Sequence, residues 1–156
     1  MKLIEELRYL IKAVDKEGEQ VYSKLLEPFD ITPSQNEILK LLAIKDGLSI
    51  SQIGEMLICG SENPSRLVDR LVKKGLVMKK KNLDDTRINN IFISSKGKNL
   101  LSKTLVVEEK FNIQIEKNLK DKIEVEKLIN ILQTQVNNTK TLQQINSKKK
   151  FLNNPY

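Results

Sequence analysis

Apolar residues recur at three- and four-residue steps from the first turn of the chain. Leu3, Leu7, Leu10, Val14, Val21 and Leu25, joined by Ile4 and Ile11, form one stripe. This is the pattern of a long amphipathic helix with a heptad-like seam. Gly18 interrupts the stripe and Pro28 ends it. Thr32-Pro33-Ser34-Gln35 then reads as a helix start. Thr32 can cap, proline suits the first helical position, and Gln35 can complete a capping box. Ile38, Leu41 and Leu42 continue that helix until Gly47 stops it. Ser49-Ile50-Ser51-Gln52 repeats the grammar and opens a short helix burying Ile53, Met56 and Leu57, closed by Gly60. Ser61 is expected to cap the next helix, with Pro64 tolerated in its first turn. Leu67, Val68, Leu71 and Val72 form its inner side, and Gly75 is its stop.

Three helices with such short connections have the length signature of a helix-turn-helix. Two β-prone runs follow, residues 76–81 and 88–93, around a polar turn from Asn82 to Arg87, and these predict a hairpin. Ser94 or Ser95 caps a long final helical region. Leu100, Leu101, Leu105, Phe111, Ile115 and Leu119 mark one amphipathic helix. Ile123, Leu128, Ile129, Leu132 and Val136 mark another that runs on toward Ile145, with Asp121 near the break. Residues 148–156, opened by three lysines, are expected to fray as a flexible tail. The predicted fold is mainly α with a small β-hairpin.

Composition removes several functional classes. The 156 residues contain no histidine, so imidazole-ligated metals, Ser-His-Asp triads and Cys-His dyads cannot form. The lone Cys59 cannot close an intramolecular disulfide, which fits a reducing cytosol and a cytoplasmic location. The longest uninterrupted apolar runs are four residues, Leu41–Ile44 and Met56–Cys59, too short to span a bilayer. Glu5, Glu6 and Arg8 lie inside the first helical pattern and leave no signal-peptide core. The six glycines form neither a phosphate loop nor a dinucleotide fingerprint, and no carboxylate pair sits in a catalytic context. No enzyme, cofactor or metal is therefore expected.

Charge points elsewhere. The chain carries +7 overall, yet residues 1–60 carry −3, residues 61–89 carry +4 and residues 140–156 carry +4. Three of only four arginines, Arg66, Arg70 and Arg87, fall within 22 positions. A planar guanidinium fork is favoured where phosphate or a base edge must be met. At about 100° per residue, the helix from Ser61 to Lys74 sets its aliphatic side opposite Glu62, Arg66, Asp69, Arg70 and Lys73. Leaving those aliphatics in water would cost roughly 1.5–3 kcal/mol each, so the charged side faces outward from a rigid support. Ser61, Asn63, Ser65 and Arg66 are placed to meet base edges, and Arg70 and Lys73 to meet backbone phosphates. The bland alternative is a surface ion pair of Arg66 or Arg70 with Glu62 or Asp69. Arg87, on a projecting loop, suits a narrow minor groove. Asp84 and Asp85 would repel phosphate, so they shape the turn or orient Arg87.

In order and spacing these segments resemble the MarR family of winged helix-turn-helix transcriptional regulators. The carriers are Thr32-Pro33-Ser34-Gln35, Leu48-Ser49-Ile50-Ser51-Gln52-Ile53-Gly54, the run from Pro64 to Val77, Asp84-Asp85-Thr86-Arg87, and Ile93-Ser94-Ser95-Lys96-Gly97. The resemblance implies a winged helix-turn-helix domain over residues 31–95. It would be flanked by an N-terminal dimerisation helix (1–30) and C-terminal dimerisation helices (96–147). It implies a homodimer, a ligand-responsive repressor, on a pseudo-palindromic double-stranded DNA operator. Arg87 matches the wing arginine and Asp69 a helix acid that can brace the wing. Thr86 replaces the first of the two basic residues that the wing commonly carries, a loss that Lys79, Lys80 and Lys81 can offset. Apart from the resemblance, the central module is too small to cover both helical stripes, which predicts pairing between chains. Cys59, just before the recognition helix, is either an inert apolar filler or a redox sensor. The effector itself is not identified. The rival reading is a winged-helix protein-interaction module without specific DNA binding.

Overall fold

A computed structural model of the chain describes residues 1–58, 62–82, 85 and 87–153. Its elements, in chain order, are α1 (Leu3–Leu26), a 3-10 turn (Glu27–Phe29), α2 (Pro33–Ile44), β1 (Leu48–Ser49), α3 (Ile50–Met56) and α4 (Pro64–Lys73). They continue with β2 (Val77–Lys81), β3 (Asn89–Ile93), α5 (Ser95–Leu119), α6 (Val125–Gln135) and α7 (Lys140–Asn153). The antiparallel sheet has the order β1-β3-β2, with Leu48 opposite Ile91 and Val77 opposite Ile93.

Local hydrogen bonding explains where the helices begin. Thr32 Oγ1 accepts from the Gln35 backbone N–H at 3.3 Å, and Gln35 Oε1 accepts from the Thr32 N–H at 3.2 Å. Ser49 and Gln52 form the same reciprocal box at 3.2 and 2.9 Å. Each box satisfies two donors that a helix start would otherwise leave orphaned. For α4 the sequence reading needs correction. Asn63 is the cap, its Oδ1 accepting from the Ser65 N–H at 2.8 Å, and Pro64 is the first helical residue. Proline lacks only an N–H that would be orphaned at that position, so the cap belongs directly before it. Ser61 and Cys59 lie outside the described residues. The far end of α4 closes in a Schellman pattern, with Leu76 N–H donating to Leu71 O and Gly75 N–H donating to Val72 O. Gly75 supplies the positive φ of 69° that this cap requires.

The core gathers Leu26 of α1, the inner sides of α2, α3 and α4, Ile91 and Ile93 of β3, and Leu101 of α5. Gly18 does not break α1, which is continuous. Its apolar stripe lies outside the core, with Leu3 82% and Val14 72% exposed. Leu105, Ile113, Ile129 and Leu132 on α5 and α6 are exposed as well.

The C-terminal region departs from expectation. The helix predicted from Ile123 toward Ile145 is two helices, α6 and α7, separated where Asn138 takes a φ of 60°. Asparagine tolerates this left-handed conformation, and Thr139 Oγ1 then caps the next start by accepting from Leu142 N–H at 3.2 Å. The expected frayed tail at 148–156 is helical through Asn153. α7 packs on α3. Lys148 pairs with the nearly buried Glu37, burial lowers the lysine's pKa, and Phe151 packs against the core. Residues 140–147 lie in the helix that packs on α3. Among the described residues, no helix is long and apolar enough to cross a membrane.

Candidate nucleic-acid interface

The recognition helix α4 is held by its inner side. Leu67, Val68 and Leu71 are buried, so the opposite side projects from a fixed base. On that side Asn63, Arg66, Asp69, Arg70 and Lys73 are exposed, and Ser65 is half-buried. Capping occupies the Asn63 side-chain oxygen, and the residue is exposed. Arg66 has no ion-pair partner among the described residues. Arg70 does: its Nη1 lies 2.6 Å from Glu62 Oε1. The ion-pair alternative therefore describes Arg70 in the free protein. Such exposed pairs contribute only about a few tenths of a kcal/mol, so Glu62 holds Arg70 weakly.

The wing is tied to this helix. Lys79 of β2 donates to Asp69 Oδ1 of α4 at 2.5 Å. Asp69 thus reaches the wing through Lys79 and not through Arg87. Lys80 sits over the Phe92 ring at 4.9 Å, and Lys81 is exposed. At the tip, Asp85 Oδ1 accepts from both the backbone N–H and Nε of Arg87 at 3.0 Å, and Oδ2 accepts from Nη2 at 2.9 Å. The guanidinium first, and then the backbone N–H, hold the Asp85 carboxyl below the usual carboxylate range. Asp85 in turn donates its own N–H to Asn82 Oδ1 at 3.0 Å. The arginine is therefore oriented from below while its side chain remains 89% exposed. Asp84 and Thr86 lie outside the described residues.

A polar cluster that sequence reasoning missed joins this module to the flanking helices. Tyr22 of α1 donates to Glu108 of α5 at 3.0 Å, and Asn36 of α2 donates to the Tyr22 oxygen at 2.9 Å. Thr104 donates to Asn36 at 2.6 Å, and Lys40 pairs with Glu108. Tyr22 also stacks on Phe111, with ring centroids 5.2 Å apart. Burial, and then the neighbouring Glu108 charge, push the phenol well above its ordinary pKa. The partners are 14 to 86 residues apart, so no local spacing could reveal them. Mechanically the cluster locks α1 and α5 to α2, so the orientation of the winged module follows that of the flanking helices.

A sequence model of the MarR family matches residues 31–88, which span α2 through the wing. The HTH-type transcriptional regulator SarZ of Staphylococcus saprophyticus is 28% identical over 95 residues, covering 61% of this chain and 65% of SarZ. The chain thus spans just under two thirds of that relative. The organic hydroperoxide resistance transcriptional regulator of Bacillus subtilis is 30% identical over 105 residues, covering 67% of this chain and 71% of the relative. Among solved structures, a mutant MarR from E. coli complexed with operator DNA superposes with a TM-score of 0.75 at 24% identity, covering 88% of this chain and 100% of that one. The order of elements, the family match over the winged module and the likeness to a relative over most of its length lead to one assignment: the chain belongs to the MarR family of winged helix-turn-helix transcriptional regulators.

Proposed function

We propose that this regulator is a homodimer that binds a pseudo-palindromic double-stranded operator in the cytoplasm and represses by occupying it. The observation that carries the reading is the outward projection of Arg66 and Arg87 from supports that are fixed independently: a buried helix face for one, the Asp85 fork for the other. The recognition helix N-terminus would read the major groove and the wing arginine the minor groove. Lys73, Lys81 and, after release from Glu62, Arg70 would neutralise backbone phosphates.

Dimerisation follows from the exposed stripe of α1 and the exposed apolar residues of α5 and α6. An apolar surface of that continuity is an interaction site, and a second copy presents the same faces in complementary, twofold form. Residues 31–95 then contact DNA while α1, α5 and α6 set the distance between the two recognition helices. A small effector acting on that distance is part of this reading.

Selection of bound sequences from a random duplex pool tests it, run with and without candidate ligands. The expected product is an inverted repeat whose half-sites lie about one helical turn apart, 10–10.5 base pairs. Recovery of unrelated sequences, with no enrichment over rounds, would favour a protein-interaction module instead.

A further inference from the structure

The DNA-binding reading leaves α7 without a task. Lys148 and Phe151 anchor its far end on the winged module. Its near end reaches the start of the recognition helix. There Lys140 and Gln143 line one wall of a groove of about 490 Å³, and Ser51, Glu55 and Pro64, the first residue of α4, line the other. In a helix-turn-helix pair the first helix crosses the phosphate backbone while the N-terminus of the second enters the major groove. A groove bounded by α3 and the first residue of α4 therefore lies over the backbone, at the edge of the half-site.

The groove itself sets Lys140 against Glu55, and the cationic excess lies on the segment that carries α7. Residues 140–156 carry four lysines and no acid. At about 100° per residue, Lys140 shares the seated side of α7 with Gln143, Gln144 and Ser147, whereas Lys149 points to the opposite side. Lys140 is exposed although it lines the groove, and Glu55 is the acid lining it. We propose that the first turn of α7 is a second, sequence-independent arm of the DNA interface, in which Lys140 and Gln143 meet backbone phosphates beside each half-site. Lys148 and Phe151 are positioning residues for that arm. The inference rests on the DNA-binding reading.

The test is a salt titration of duplex affinity with the full chain, on the sequence recovered from the random pool. Lys140→Ala is expected to weaken binding about five-fold near 100 mM salt, and, with one arm lost from each chain of the dimer, to reduce the slope of log K against log salt by about two, without changing base preference. Lys140→Arg should restore the slope. Lys149→Ala, on the far side, should behave as wild type. Wild-type affinity and slope in Lys140→Ala, tighter binding, or an equal loss in Lys149→Ala would overturn the arm. If wild-type protein binds no duplex, the DNA-binding reading itself fails. If it binds and weakens with Arg66→Ala but not with Lys140→Ala, only the arm fails.

Discussion

Gly97→Ala is expected to lower the melting temperature by roughly 3–10 °C, the largest loss expected from a methyl group added at any of the described glycines. A Cβ at Gly97 would stand 2.2 Å from the Leu76 carbonyl oxygen and 2.9 Å from Ile93 Cγ1. The Leu76 carbonyl is not free to retreat. It accepts from the Ser94 N–H at 3.0 Å, while the Ser94 hydroxyl, shared between the Gly75 carbonyl at 2.7 Å and the Leu76 carbonyl at 3.0 Å, also caps α5 at Gly97. Relief of the clash must therefore open the seam between the wing strands and α5. Overpacking costs typically 1–3 kcal/mol and a weakened buried hydrogen bond about 1 more, while alanine regains up to ~1 through helix propensity. The net loss is about 1–3 kcal/mol. Thermal unfolding followed by circular dichroism checks it, and an unchanged midpoint would show that α5 and the sheet can separate without cost.

The double substitution Arg66→Ala with Arg87→Ala is expected to reduce operator affinity by at least ~30-fold while leaving the melting temperature unchanged. Each guanidinium contact should contribute about 1–3 kcal/mol. The two arginines stand on separate supports, so their losses should nearly add. The single variants should differ in kind. Arg66→Ala should relax discrimination at one base pair of each half-site. Arg87→Ala, which removes one wing contact from each chain of the dimer, should lower the salt slope by about two and weaken the preference for a narrow, A·T-rich minor groove. Both side chains are exposed, so a folding defect cannot account for the loss. Retention of affinity in the double variant would remove the basis for reading this surface as a DNA interface.

Legibility in the sequence follows the range of the interaction. The Thr32 and Ser49 capping boxes, the Gly75 stop and the hairpin around Asn82 depend on neighbours three to six residues away, and each left a local signature. The recognition helix was legible because its aliphatic and charged positions separate cleanly at helical spacing. β1 was missed because two residues carry no periodicity. The α6–α7 break was legible on closer spacing, because Val136 and Ile145 are nine residues apart and would fall on opposite sides of a continuous helix, and the Asn137-Asn138-Thr139 run marks the turn between them. Lysine content suggests a frayed tail, yet the Lys148 pair with Glu37 and the packing of Phe151 against the core hold the helix through Asn153. Glu62 was one of two acids that could take Arg70, and only coordinates chose between them. The Tyr22–Asn36–Thr104–Glu108 cluster is tertiary throughout, and no sequence spacing encodes it.

Twofold pairing should fix the two outward-facing modules at the repeat of a DNA duplex. Sedimentation of the protein with duplexes whose half-sites are about ten or about fifteen base pairs apart tests this directly. Two chains per duplex are predicted at the shorter spacing, with that complex lost at the longer one, where the second half-site turns to the opposite side of the helix. One chain per duplex, or equal binding at both spacings, would contradict it.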